Sequence, residues 1–193
     1  MQTAFRSEEE FTQAEFADWL ERLPSSDINH YELLGGRIVM TPPASYPHGA
    51  IGPRISGYLL PHAGSGIVND ASAGFELPRG ETVEPDVSFI SADTLAAGPK
   101  PIFGKFYRLV PDLAVEILSP TTTRRDRIEK RDIYEANGVR EYWLVDPVAR
   151  ALTVYRRDGD RFAAPIVLRD GHLTTDTMPG LTLPIAELFA GLD

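Results

Sequence analysis

Residues 111–147 read PDLAVEILSPTTTRRDRIEKRDIYEANGVREYWLVDP. LAVEIL, at 113–118, is a short continuous apolar run, as a central buried strand would be. REYWLVDP, at 140–147, reads as a second buried strand. Residues 124–137 between them read as a helix, closed by Asn137-Gly138 as a C-cap signal. Strand, helix, strand predicts a crossover and hence an α/β core. Glu116 interrupts the first strand. A carboxylate there is costly to desolvate unless a cation or hydrogen-bond donors compensate it.

Further strands are expected on both sides. YELLGGRIVM, at 31–40, predicts two short strands about the Gly35-Gly36 turn, and GIVND, AGFELP and residues 86–90 predict more. Glu81 to Glu84 reads as a turn and lead-in. ALTVYRR and DRFAAPIVL flank an Asp158-Gly159 turn and predict a hairpin. Hairpins at both ends make the sheet mixed. Residues 8–22 predict an amphipathic helix, with Ser7 as N-cap and Glu10 completing a capping box. Residues 48–62 predict a helix weakened by three glycines and kinked at Pro53. Residues 96–108 carry the Gly and Pro of a mobile surface loop over the site. Pro184 to Phe189 fits a short terminal helix.

The chain has 193 residues, which fits one domain spanning 1–193 with a sizeable core. It has no cysteine, which excludes disulfides, thiol nucleophiles and thiolate zinc sites. The opening MQTAFRSEEEF lacks the order of a signal peptide, and no apolar run approaches a membrane span. A soluble cytoplasmic protein is expected. The formal net charge of -9 argues against a passive nucleic-acid binder but not against an enzyme acting on nucleic acid. Arg124, Arg125, Arg127, Lys130 and Arg131 form the strongest basic concentration, directly after the Glu116 strand.

Asp86, opening VSFI, and Glu116 are two carboxylates in apolar contexts. On adjacent strands they would suit a hard divalent cation such as Mg²⁺, which prefers oxygen ligands and keeps several waters. Such a metal polarises a phosphodiester and lowers the pKa of its water. Lys130 would orient that water, or it would only pair with Asp126 on a wet helix face. Glu32 could complete the metal shell, or face outward. His48 could contact phosphate or help a proton transfer, or be only a polar loop residue. The TTTRR stretch, with Arg124 and Arg125, suits phosphate binding or an ordinary capped helix. Tyr134, Tyr142 and Trp143 read as core. No Gly-rich phosphate loop, dinucleotide fingerprint or Gly-x-Ser-x-Gly elbow is present.

The order YELLGGR, a proline-rich turn with His48, EPDVSFIS, PDLAVEILSPTT, Asp126 to Lys130, then Tyr134 and GVREYWLVDP resembles the Uma family of restriction-endonuclease-like proteins. That family is a branch of the PD-(D/E)XK nuclease superfamily. The resemblance covers roughly residues 12–190 and is most specific in EILSP and GVREYWLVDP. It implies a mixed sheet with flanking helices, Mg²⁺ as the usual metal, and Asp86, Glu116 and the backbone carbonyl of Ile117 as ligands. The superfamily motif would place lysine two residues after the glutamate, where this chain has Leu118. Lys130, on the following helix, is the natural replacement. Arg37 stands where relatives often have glutamate, leaving Glu32 as the N-terminal acid.

These readings lead to an α/β restriction-endonuclease-like fold with added β-hairpins. The expected function is Mg²⁺-dependent hydrolysis of DNA, with Mn²⁺ as a substitute, carried by Asp86, Glu116, Lys130 and Glu32. A homodimer follows by analogy of fold. The alternatives are an inactive binding or assembly module on the same fold, and a metal-dependent phosphoesterase acting on a small molecule.

Overall fold

The computed structural model describes residues 5–43, 46–119 and 125–192, apart from the side chain of Asp126. The strands, in chain order, are β1 (Phe5–Arg6), β2 (His30–Leu34), β3 (Arg37–Thr41), β4 (Ile67–Asp70), β5 (Phe75–Glu76), β6 (Thr82–Val83) and β7 (Val87–Ile90). They continue as β8 (Leu113–Ile117), β9 (Glu141–Asp146), β10 (Ala151–Asp158), β11 (Arg161–Phe162), β12 (Ile166–Leu168), β13 (His172–Leu173) and β14 (Leu183–Pro184). The helices are α1 (Gln13–Leu20), α2 (His48–Leu59), α3 (Ala92–Ala97), α4 (Arg131–Asn137) and α5 (Ile185–Leu188).

The main sheet runs β11-β10-β9-β8-β7-β4, with β12 also on β10. Its β8–β9 pair is parallel, as the crossover predicts, and its other pairs are antiparallel. The second sheet, β1-β3-β2-β6-β5, is antiparallel throughout. Its β2–β3 hairpin turns through Gly35 and Gly36 at φ 57° and 75°, a conformation that costs side chains with a Cβ.

Strand alternation divides the interior. Leu113, Val115 and Ile117 of β8 face a core shared with Ile51, Ile55 and Leu59 of α2 and with α5. Ala114, Glu116 and Leu118 take the other face. There Ala114 and Leu118 pack with Ile133 and Tyr134 of α4 and with Leu34, Val39 and Val83 of the second sheet. Phe16 of α1 covers the outer side of that sheet at Leu33 and Ile38. The layers therefore run α2 and α5, main sheet, α4 with the second sheet, then α1. Glu116 lies at the boundary between the two sheets.

Several local expectations are corrected. The first helix starts at Gln13, not at residue 8; Thr12 caps it and Glu15 completes the capping box. Ser7 is instead tied to the sheet: its N–H donates to the Ile38 carbonyl and its hydroxyl accepts from the Ile38 N–H. Residues 82–83 form β6 rather than a turn. Residues 125–130 form a π-helical turn before α4 begins, so the expected helix of 124–137 is two pieces. Gly138, at φ 90°, closes it as expected. Residues 92–97 are helical. The loop after them lies against α1 and β5: Lys105 pairs with Glu21, and Tyr107 bridges to Phe75 and hydrogen-bonds Asn69. Residues 120–124, with Arg124 and the threonine run, lie outside the described residues.

Candidate functional site

Glu116 is placed by the pleat of β8, which turns it toward the second sheet while Val115 and Ile117 face the α2 core. Leu34 of β2 points into the same layer, so Glu32, two residues earlier, does as well. Lys130 ends the π-helical turn and enters between them. Its Nζ is 2.6 Å from Glu116 Oε1 and 2.8 Å from Glu32 Oε1. Glu32, Glu116 and Lys130 are only 4%, 3% and 1% exposed. Lys130 therefore does not lie on a wet helix face, and Glu32 does not face outward; the side chain of Asp126, its expected surface partner, lies outside the described residues.

One ammonium serves two carboxylates, so the remaining lone pairs need other donors. The Glu84 N–H donates to Glu32 Oε1 at 2.8 Å, and the Tyr134 hydroxyl donates to Glu116 Oε1 at 2.7 Å. Tyr134 is fully buried; burial, then the charges of Glu116 and Glu32, push its hydroxyl well above the ordinary value of 10. It is a fixed donor.

Asp86 immediately precedes β7. Val87 pairs with Val115, and continuing that antiparallel register by one step sets Asp86 opposite Glu116. Asp86 Oδ2 accepts the Ile117 N–H at 2.6 Å. His48, the first residue of α2, approaches from the opposite layer. Its Nε2 hydrogen-bonds the Ile117 carbonyl and lies 3.5 Å from Asp86 Oδ2. Arg125 reaches Thr41 of β3, with Nη1 at 2.9 Å from the threonine hydroxyl.

A second pair adjoins the cluster. His30 Nδ1 is 3.0 Å from Glu84 Oε2. That hydrogen bond, against some desolvation, raises the His30 pKa, and the charges of Glu84, Asp86 and Glu32 add to the rise. Burial raises the Glu84 carboxyl, with repulsion from Glu32, while His30 and Lys130 pull it down.

The sequence reading missed the roles of Tyr134, His30 and Glu84. Each had a signal. Tyr134 is four residues after Lys130 on one helix face. His30 lies two residues before Glu32 on β2 and so shares its face, while Glu84 lies in the short link between β6 and β7, two residues before Asp86.

The donor set of Asp86, Glu116 and the Ile117 carbonyl is all oxygen, which suits Mg²⁺ or Mn²⁺. Among the described residues, no three His, Cys, Asp or Glu side chains gather as a metal site by themselves. A bound cation would thus draw on the backbone carbonyl, water and substrate, as Mg²⁺ commonly does.

The Uma2 family model, described as "Putative restriction endonuclease", matches residues 14–186. The structure resembles that of a "putative nuclease belonging to DUF820" from Anabaena variabilis ATCC 29413. The TM-score is 0.78 at 20% identity, covering 95% of this chain and 99% of that one. No curated protein matches the sequence. The chain belongs to the Uma2 family.

Proposed function

We propose that this Uma2-family chain is a metal-dependent endonuclease that hydrolyses DNA phosphodiester bonds. The observation that carries the reading is the buried Lys130, held between Glu32 and Glu116 beside the strand end where Asp86 meets Ile117. Asp86, Glu116 and the Ile117 carbonyl would hold Mg²⁺, with Mn²⁺ as a substitute. When bound, the cation supplies charge neutralisation at the phosphate and a water of lowered pKa. Glu32 holds the Lys130 ammonium together with Glu116. Lys130, locked at both ends of that bridge, donates toward a nucleophilic water and orients it. His48 steadies Asp86 and the Ile117 carbonyl from the α2 layer. Arg125, with Arg124, would meet the DNA backbone. By analogy of fold, the proposed assembly is a homodimer in which each subunit cuts one strand.

The net charge of -9 favours a second reading, a binding or assembly module that keeps the fold without catalysis. Purified protein is incubated with plasmid DNA in Mg²⁺, Mn²⁺ or EDTA, beside a panel of small phosphate esters. The nuclease reading expects DNA cleavage that EDTA abolishes. Turnover of small esters alone would identify a small-molecule phosphoesterase. Turnover of neither would favour the inactive module.

A further inference from the structure

We propose that Tyr134 is a positioning residue of this centre: its hydroxyl fixes the Glu116 carboxylate in the rotamer from which it binds the divalent cation. The inference rests on the metal-centre reading above and adds a residue to it. Three observations carry it.

The first is the shared acceptor. The Tyr134 hydroxyl at 2.7 Å and Lys130 Nζ at 2.6 Å both donate to Glu116 Oε1. Two donors on one oxygen define the carboxylate plane better than one, because a lone lysine stem allows several rotamers.

The second is rigidity. The Tyr134 ring lies 5.0 Å from Tyr142 of β9, and Tyr142 stacks at 5.8 Å on Tyr155 of β10. This aromatic row fixes the ring against the main sheet. The hydroxyl is thus held by two strands of the sheet that also carries Glu116.

The third is the choice of a polar group in a dry layer. Tyr134 is 0% exposed and sits among Ile133, Ala114 and Leu144. Phenylalanine would fill the same space without a hydroxyl to satisfy. The hydroxyl is aimed at Glu116, to which it donates at 2.7 Å.

The experiment is calorimetric titration of Mn²⁺ into wild type, Tyr134→Phe and Tyr155→Phe, with folding checked by circular dichroism. Groups that orient metal ligands typically contribute about 10–100-fold in affinity. Tyr134→Phe should weaken Mn²⁺ binding by roughly tenfold or more, and Tyr155→Phe should not. Site-specific 3-fluorotyrosine at position 134, which keeps the hydroxyl, should restore binding close to wild type. The Mg²⁺ midpoint for DNA cleavage should shift with the Mn²⁺ affinity. Unchanged Mn²⁺ affinity in Tyr134→Phe, or equal loss in both phenylalanine variants, overturns the positioning role alone. So does a Tyr134→Phe protein that does not fold, since the hydroxyl would then be structural. Wild type that binds Mn²⁺ without cutting DNA overturns the nuclease reading but leaves the role of Tyr134 to stand on the binding data. Wild type that binds no Mn²⁺ overturns both.

Discussion

Lys130 lies between two carboxylates in an otherwise apolar layer, so removing it strands two negative charges there. Losing one partner of a buried pair typically costs about 3–5 kcal/mol. Lys130→Ala should lose about that much in urea denaturation, and Glu32→Gln added to it should recover part of the loss. A loss of only a few tenths would mean that Lys130 is a surface residue in solution. The same burial makes lost cleavage in Lys130→Ala a poor test of catalysis. His30 offers a pH test. Its pKa is raised in the folded state, mainly by Glu84. The stability it contributes is therefore fully present below its unfolded pKa and lost as pH rises through the folded one. The melting temperature of wild type should exceed that of His30→Gln at pH 6 by more than at pH 9. A difference that grows with pH would contradict the pairing. At this scale the sequence pointed to Asp86, Glu116 and Glu32 as charges in apolar settings, and to Lys130 through its place in the basic segment after the Glu116 strand. For Tyr134 and His30 it offered only a spacing, four residues after Lys130 and two before Glu32, and spacing alone does not reveal a carboxylate partner.

The elements that position the site were legible to differing degrees. The β2–β3 hairpin and the β8–α4–β9 crossover announce themselves through paired glycines, apolar runs and the Asn137-Gly138 stop. The start of α1 did not, because Ser7–Glu10 and Thr12–Glu15 both fit a capping box. Tertiary bonding decides between them: Ser7 is spent on Ile38 of β3, which leaves Thr12 to cap the helix. β6 is two residues long and exists through its pairing with β5 and with Leu33 of β2, the latter a contact no local pattern records. The π-helical turn before α4 also lies beyond periodicity, yet it delivers Lys130 inward. Helix α4 then carries Tyr134 and ends at Gly138 in the left-handed conformation. A Cβ there costs roughly 1–2 kcal/mol. Gly138→Ala should lower stability by about that amount in denaturant melts, although nothing lies within 4 Å of the added carbon. An unchanged midpoint would mean that α4 ends elsewhere.

At the scale of the molecule, two sheets meet face to face and the charged cluster lies where they meet. One sheet supplies Glu116, the other Glu32, the connection between β8 and α4 supplies Lys130, and α2 brings His48 from the far side of β8. Among the described residues no helix is long and apolar enough to cross a membrane. The mixed main sheet with flanking helices followed from the strand pattern and the family resemblance, but the N-terminal hairpin, expected in that same sheet, belongs to the second one. The meeting of the two sheets could not be read from local patterns, because it depends on contacts between segments far apart in the chain. The central claim is that this junction cuts DNA with a metal held by Asp86 and Glu116. Single-turnover cleavage of plasmid DNA at saturating Mg²⁺, comparing wild type with Glu116→Gln, tests it most directly. Glutamine keeps the acceptor for Lys130 and Tyr134 and removes the ligand charge. Wild type should show EDTA-sensitive cleavage, and the folded variant should cut at least about 10²-fold more slowly, because electrostatic groups at such centres are commonly worth that much. Equal rates in the two proteins, or cleavage indifferent to EDTA, would contradict it.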